Sequence, residues 1–467
     1  MAGITSYGAY IPFYRLGKDT AGWGRPIEKP VVNFDEDSIT MAVAAGMDCI
    51  SGGDREVVDS LIFATTTSPY IEKQGAAMVA AVVDLRRDIA TNDATNSLRA
   101  GTQALRSAVD AVKAGSAKQV MVTAADCRTG TPGTEFDQTS GDGAGALLIG
   151  NEGVIAEVID SYSVSDEVLD NWRAEGDSTV RTWEDRFVLQ TGYLSVMPEA
   201  IQGLLKKVNL DIKDIGKAVL YGPNPRRHAE MARQLGLDAG QVQDPLFGQM
   251  GNTGAAYSLM QLIAALEEAK PGQKILVASY GDGADAILLE TTDQITNFNG
   301  KRGIKGNLEK KRIRKSVGVR GVTVKGLEGG PPSASARWRA RESIDRLHGA
   351  KCFSCGLIQY PPQRICTRCH TKDQWQTVRL SDKPGKIFTF SLDYLVGGVD
   401  SPLAITIINF EGGGRGMFTM TDREVEDVQC EKPVEMTFRK LRSSGGVHNY
   451  FWKAMPQRFQ GAFQGIA

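Results

Sequence analysis

Four cysteines in two pairs, Cys352-Phe-Ser-Cys355 and Cys366-Thr-Arg-Cys369, carry the plainest chemistry of this sequence. Ten residues, GLIQYPPQRI, separate the pairs and suit a tight hairpin. Each CxxC turn presents two thiolates, and two such turns supply the sulfur ligands of a tetrahedral zinc ion. A closed set of four leaves no open coordination position, so the spacing predicts structural zinc. An iron site is the other metal this set suits. His370 is adjacent and not needed as a ligand. The other cysteines, Cys49, Cys127 and Cys430, are scattered. That is no disulfide framework, and it points to a reducing, cytoplasmic setting.

A second signal lies far upstream. NSLRAGTQALRSAVDAVKAGSAKQVMVTAAD, from Asn96, is answered by NTGAAYSLMQLIAALEEAKPGQKILVASYGDG, from Asn252, with Lys118 and Lys274 at the same offset. Leu98, Leu105, Val109 and Val112 have helical spacing, and so do Leu259, Leu262 and Leu266. A buried-strand run follows each helix, and GDGAGALLIG answers GDGADAILLE. Turn formation alone explains Asp142 and Asp282 there. The repeat predicts a duplicated α/β fold with buried sheets, its halves at 1–155 and 156–295.

Residues 296–334 are basic and then Gly/Pro/Ser-rich, which predicts a linker. A helix and zinc ribbon are expected over 335–372. Over 373–467, KIFTFSLDYLV, PLAITIINFEG, RGMFTMTD and PVEMTFRKLRS alternate like strands and predict a small OB-type β-barrel. With 467 residues, 42% hydrophobic and 23% charged, the chain has the composition of a soluble protein of several cores. A net charge of −1 argues against nucleic acid as partner. No apolar run reaches membrane-spanning length. MAGITSYGAYIPFYRLG has no basic segment followed by an apolar core and reads as mature protein.

Residues 1–295 resemble the archaeal-type 3-hydroxy-3-methylglutaryl-CoA synthases of the thiolase superfamily. The match runs in family order through YIPFYRL, DEDSITMAVAA, DATNSLRAGTQAL, Pro223-Asn224, GNTGAA and AKPGQKILVASYGDGADA. It implies a duplicated thiolase fold (αβαβα layers), an acyl-CoA substrate and a homodimer. Residues 335–460 resemble the zinc-ribbon/OB partners of such thiolases, through WRARE, the four cysteines and the Pro-Pro between them. Those partners bind the thiolase subunit and help accommodate CoA; here both are on one chain. The resemblance also admits a complex with another CoA-metabolising enzyme.

The family's catalytic cysteine, histidine and glutamate are replaced at their matching positions by Leu98, Tyr221 and Thr66. Leucine cannot carry an acyl group, so the covalent route lacks its nucleophile there. A thiolase fold without that cysteine can still hold a CoA thioester and stabilise its enolate, which suits retro-aldol cleavage of a 3-hydroxyacyl-CoA. The chain is similar in kind to thiolase-like aldolases of steroid side-chain degradation, which lack the cysteine, rely on tyrosines and pair with a ribbon/OB partner. Tyr221 is then the first choice for acid/base work, given a lowered pKa. Asn252 would position a water or the thioester oxygen, or else cap a helix. Tyr193 and Tyr280 are further candidates. Arg226, Arg227 and the basic run at 296–334 either meet CoA phosphates or are solvated. His228 reads as a helical surface residue. Two other functions stay open: a non-catalytic scaffold for a cysteine-bearing thiolase, and an acyltransferase using another nucleophile, such as Cys127.

Overall fold

The computed structural model describes residues 1–317, 333–396 and 400–458. Two compact units divide them. The first comprises 1–32, 37–80 and 85–317; the second comprises 33–36, 81–84 and the chain beyond 317.

The first unit is built on nine strands: β1 Gly3–Tyr10, β2 Val58–Thr65, β3 Ala90–Thr95, β4 Gln119–Asp126, β5 Gly143–Gly150, β6 Ala156–Ser165, β7 Lys217–Leu220, β8 Lys274–Tyr280 and β9 Gly283–Thr291. Their order is β7-β8-β9-β6-β1-β5-β4-β2-β3. Parallel pairs β2–β3, β2–β4 and β7–β8 are flanked by antiparallel β4–β5 and β8–β9. The halves join where Gly3 and Ile4 pair with Glu157 and Ala156. β4, β5 and β8 are almost wholly buried, which is why they read as continuous apolar runs instead of alternating ones.

The repeated helices are α2 Ala100–Lys113 and α5 Tyr257–Leu266, with α3 Leu194–Val208 and α4 Pro225–Gln234 between them. α2 is amphipathic and buries Leu105, Val109 and Val112, whereas every residue of α5 is buried. They approach closely because Gly101 has no side chain: a Cβ there would lie 2.3 Å from the Ala255 carbonyl oxygen. An earlier helix, α1 Ser38–Ile50, opens on a capping box between Asp37 and Thr40 and buries Cys49.

The two Gly-Asp-Gly sequences differ. Asp282 sits in the β8–β9 turn with φ +49°, as expected. Asp142 is fully buried and its carboxylate accepts the Val32 amide at 2.8 Å, so it serves packing and not a tight turn.

The expected linker also differs. Up to Val317 it belongs to the first unit. Gly303–Glu309 forms a helix, and Arg312–Ile313 pairs in parallel with Tyr14–Arg15. The Asp48 carboxylate accepts the amides of Arg302 and Gly303, while Lys301 Nζ donates to the carbonyls of Cys49 and Ser51. These charges are spent on backbone groups. Residues 318–332 of the linker, with most of its Gly/Pro/Ser-rich part, lie outside the described residues, and Ser333 caps the helix that follows.

The second unit starts with short helices at Ala334–Arg339 and Arg341–Ile344. A ribbon sheet follows, of β10 His348–Cys352, β11 Ile358–Gln359 and β12 Trp375–Arg379. β12 pairs with β10, so the ribbon extends past 372 to Arg379. Five antiparallel strands come next: β13 Gly385–Asp393, β14 Leu403–Phe410, β15 Arg415–Thr419, β16 Pro433–Ser444 and β17 Val447–Pro456, in the order β15-β14-β13-β16-β17. A parallel bridge between Met420 and Ala454 brings the edges together, giving an OB-like closed sheet.

Charges are buried at one end of this barrel. Arg439 contacts Glu36 at 2.5 Å and Asp422 at 2.7 Å, Lys453 contacts Asp35 at 2.8 Å, and Arg458 contacts Asp422 at 3.1 Å. Three carboxylates face three cations, and Asn33 Nδ2 donates to Asp422 as well. Removing one partner strands the rest in a dry interior. Arg439→Met is therefore expected to destabilise this unit by about 3–5 kcal/mol. Urea unfolding of the full chain, followed by Trp452 emission in a variant retaining that tryptophan alone, reads the loss; an unshifted midpoint refutes it.

Candidate active site

Strand ends build the site. Tyr221 directly follows β7, and its amide donates to the Ala278 carbonyl at 2.8 Å. Tyr280 closes β8 beside it. Both therefore stand at the C-terminal edge of a parallel pair, where ligands of open α/β sheets gather. Tyr193 ends a π-helical turn, Leu189–Tyr193, an irregularity frequent at functional sites. Asn252 precedes the 3-10 turn leading into α5.

These four residues share the wall of one cavity of about 1220 Å³. The tyrosine rings meet mostly edge to face: centroids are 6.2 Å apart for Tyr193–Tyr221, 5.6 Å for Tyr193–Tyr280 and 5.8 Å for Tyr221–Tyr257. Tyr221 and Tyr280 are 6.1 Å apart. Gly192 makes room for Tyr280, because a Cβ there would lie 2.2 Å from its hydroxyl oxygen.

The hydroxyls have different duties. Tyr193 donates to the Tyr221 carbonyl at 2.9 Å, so this hydroxyl holds the backbone of its neighbour. Burial pushes the Tyr221 phenol up to about 12, against the charge of Arg128 and a hydrogen bond from the Asn252 side chain, which favour the phenolate. The lowered pKa expected for Tyr221 is thus not found, since desolvation outweighs its two stabilising neighbours. At neutral pH the residue is a proton donor. Burial, and then the charge of Asp170, likewise raises Tyr280. Asn252 makes the cap-like bond foreseen for it and is also tied beside Tyr221. Its Oδ1 accepts the Gly254 amide at 3.0 Å in the manner of a cap, and its Nδ2 reaches the Gly222 carbonyl at 3.1 Å beside Tyr221.

Leu98 and Thr66 stand outside the cavity wall. Leu98 is buried against the second half: a Cβ on Gly281 would be 2.9 Å from its own. Thr66 is bound to Asp126, its Oγ1 donating at 2.8 Å and its amide at 2.7 Å. Asp126 is fully buried and also accepts from Thr65 Oγ1, Thr67 Oγ1 and the Ala255 amide. Five donors solvate this carboxylate and fasten the ends of β2 and β4 to the start of α5. Burial pushes the Cys127 thiol up to about 12, far from the thiolate a nucleophile requires.

Arg227 lines the cavity with its guanidinium on Glu230 at 2.5 Å; Arg226 is exposed and outside the wall. His228 is buried and not a surface residue, because α4, the helix Pro225–Gln234, turns it against Gly222. Burial lowers its pKa to about 4, so it is neutral. Sequence reasoning missed Arg128, stacked 4.8 Å over the Phe136 ring, and Asp170 on the cavity wall. Arg128 follows the end of β4 and was findable by that place; Asp170 lies in a loop without periodicity.

In the second unit the Sγ atoms of Cys352, Cys355, Cys366 and Cys369 lie within 4.8 Å of one another, with 3.6 Å for Cys352–Cys369 and 3.5 Å for Cys355–Cys366. Zinc–sulfur bonds of about 2.3 Å put tetrahedral sulfurs about 3.8 Å apart, so the cluster fits a metal. Backbone amides of Arg368 and Cys369 hydrogen-bond the Cys366 sulfur, favouring its thiolate.

No helix among the described residues is long and apolar enough to cross a membrane. Residues 205–290 match the family model "3-Oxoacyl-[acyl-carrier-protein (ACP)] synthase III C terminal". Among solved structures, an HMG-CoA synthase complexed with CoA is 20% identical with a TM-score of 0.60, covering 67% of this chain and 88% of that one. The 3-oxoacyl-[acyl-carrier-protein] synthase III of Aquifex aeolicus gives 22% and 0.56, over 62% and 100%. Hydroxymethylglutaryl-CoA synthase of Pyrococcus furiosus is 33% identical over 294 residues, 60% of this chain and 83% of that protein. That of Methanopyrus kandleri is 32% identical over 316 residues, 64% of this chain and 90% of the other. With nine-tenths of the Methanopyrus protein matched, this chain belongs to the hydroxymethylglutaryl-CoA synthase family of the thiolase superfamily.

Proposed function

We propose that the chain is an enzyme of C–C bond chemistry on acyl-CoA thioesters, and that it cleaves a 3-hydroxyacyl-CoA by a non-covalent retro-aldol route. One observation carries this reading: three tyrosines and Asn252 line a single cavity whose wall, among the described residues, contains no thiol. In the reaction a base takes the proton of the 3-hydroxyl and the Cα–Cβ bond breaks. A ketone or aldehyde forms, and the electron pair passes through Cα to the thioester oxygen. Tyr221, protonated at neutral pH and oriented by Asn252, donates to the enolate that results. Protonation at Cα then yields the shorter acyl-CoA. Tyr193 positions Tyr221 through its carbonyl.

Acyl transfer remains the competing reading, because the relatives carry the name of a synthase. It would need a thiolate, and the Cys127 thiol is pushed the other way. We further propose structural zinc on the four cysteines, CoA phosphates near Arg227, a homodimer and a cytoplasmic setting. Purified chain incubated with 3-hydroxy-3-methylglutaryl-CoA, and with 3-hydroxyacyl-CoAs bearing linear, branched and cyclic β-substituents, should release a carbonyl product without acylating any cysteine. An acyl adduct in the intact-protein mass spectrum, or no carbonyl product from any of them, would sink the proposal.

A further inference from the structure

A thioester oxygen that becomes an enolate is held best by more than one fixed donor, and Tyr221 supplies one. Asn252 has none to spare. Its Nδ2 hydrogens go to the Gly222 carbonyl and the Tyr221 phenol, and its Oδ1 takes the Gly254 amide. Two buried hydroxyls on the cavity wall make no hydrogen bond to any described residue, those of Ser140 and Tyr280. Of the two, Tyr280 has the Asp170 carboxylate as a nearby acceptor, and Ser140 has none. Ser140 is only 1% exposed. A hydroxyl taken out of water without a partner costs its desolvation, and on a cavity wall a ligand oxygen removes that cost.

Backbone bonds fix Ser140 beside the Tyr221–Asn252 pair. It follows the short helix Glu135–Thr139, and its amide donates to the Phe136 carbonyl at 2.9 Å. A parallel bridge sets it against Asn252. The Asn252 amide donates to the Thr139 carbonyl at 2.8 Å, and the Gly141 amide donates to the Asn252 carbonyl at 3.0 Å. Gly141 permits so close an approach, because a Cβ there would lie 1.9 Å from the Met250 carbonyl oxygen. Both neighbours of Ser140 are thus tied to the residue that orients Tyr221. We propose that Ser140 is a catalytic residue whose hydroxyl donates to the thioester carbonyl oxygen, completing with Tyr221 the site that holds the enolate; its effect on rate rests on the retro-aldol reading above. As the Cα–Cβ electron pair moves onto that oxygen both hydrogen bonds strengthen, and Ser140 keeps its proton throughout. No covalent bond to it forms, since a serine nucleophile needs a base at hydrogen-bond distance and this hydroxyl has none among the described residues.

The test uses the full chain, with a rate and a binding measurement. On the 3-hydroxyacyl-CoA cleaved fastest, Ser140→Ala should lower kcat by about 10²-fold with KM within threefold, and Ser140→Thr, which keeps a hydroxyl, should recover most of that loss. The binding arm compares butyryl-CoA with S-butyl-CoA, the thioether in which a methylene replaces the carbonyl. The parent should bind butyryl-CoA about fivefold more tightly, and Ser140→Ala should bind the two alike. A residue that only supports the fold leaves this preference in place. Melting temperatures report whether each variant is folded. Ser140→Ala with kcat within threefold of the parent overturns the assignment, as does a rate loss with the carbonyl preference intact, or an acyl-serine in the intact-protein mass. If the parent cleaves no thioester yet shows a carbonyl preference that Ser140→Ala erases, the retro-aldol reading fails and Ser140 stands as the carbonyl donor. If it shows neither, both fall.

Discussion

Tyr221→Phe is expected to reduce kcat by about 10³-fold or more, with KM nearly unchanged and the fold intact. The ring stays, so the edge-to-face contacts with Tyr193 and Tyr257 survive. Tyr193 holds the main chain of Tyr221 and not its phenol, so the second tyrosine does not move. Asn252 keeps its bonds to Gly222 and Gly254. What is lost is one donor at the developing enolate, and such a loss lowers kcat and kcat/KM together. The sign of the pH dependence follows from the raised phenol. Tyr221 is protonated below about 12, so no basic limb from it should enter the profile below about pH 10. Steady-state kinetics on the folded variant decide the matter. A kcat within tenfold of the parent, or a basic limb near neutrality that Tyr221→Phe removes, contradicts the donor role.

Metal removal should have the largest effect on stability. Structural zinc binds such sites with apparent free energies of about 10–16 kcal/mol, and that energy is folding energy. β10, β11 and β12 are short, and β10–β11 pairing rests on Ala350–Gln359 and Lys351–Ile358. Little apolar burial would remain to hold the turns once four thiolates repel one another. Purified chain is expected to carry one zinc ion. Cys355→Ser/Cys366→Ser, or a strong chelator under mild denaturant, should open residues 348–379 to proteolysis. Metal analysis with limited proteolysis checks this. A metal-free preparation as resistant as the holoprotein refutes it, and coloured protein with stoichiometric iron replaces zinc by the other metal these ligands suit.

What the sequence made legible was whatever has a short period or a fixed spacing. The cysteine knuckles, the α2 and α5 repeats and the apolar β4 and β8 were readable because each is specified within about thirty residues. Tyr221, Tyr280, Tyr193 and Asn252 were nominated one by one, and their common cavity is a product of the fold. Asp170 had no local signal, and the five-donor carboxylate of Asp126 draws on segments more than a hundred residues apart. β17 was missed because its strand, VHNYFWKAMP, mixes buried polar and apolar residues without alternation. Asp142, read as a turn residue, Lys301 in the basic run and His228, read as a surface residue, are all claimed by backbone groups or packing. Charge and polarity imply solvent only when backbone groups or packing do not claim the side chain.

The buried charges at the barrel end also impose an order in time. Asp35 and its partner Lys453 are 418 residues apart in the chain. At about 5–20 residues per second, a ribosome needs roughly 20–80 s between making one and making the other. Throughout that interval Asp35 and Glu36 have neither Arg439 nor Lys453 to meet, so they must wait in water. The second unit can be completed only after β17 has emerged. A premature stop before Arg439 would therefore leave Asp35 and Glu36 without these partners, an exposed acidic mark by which quality control could recognise such a truncated chain.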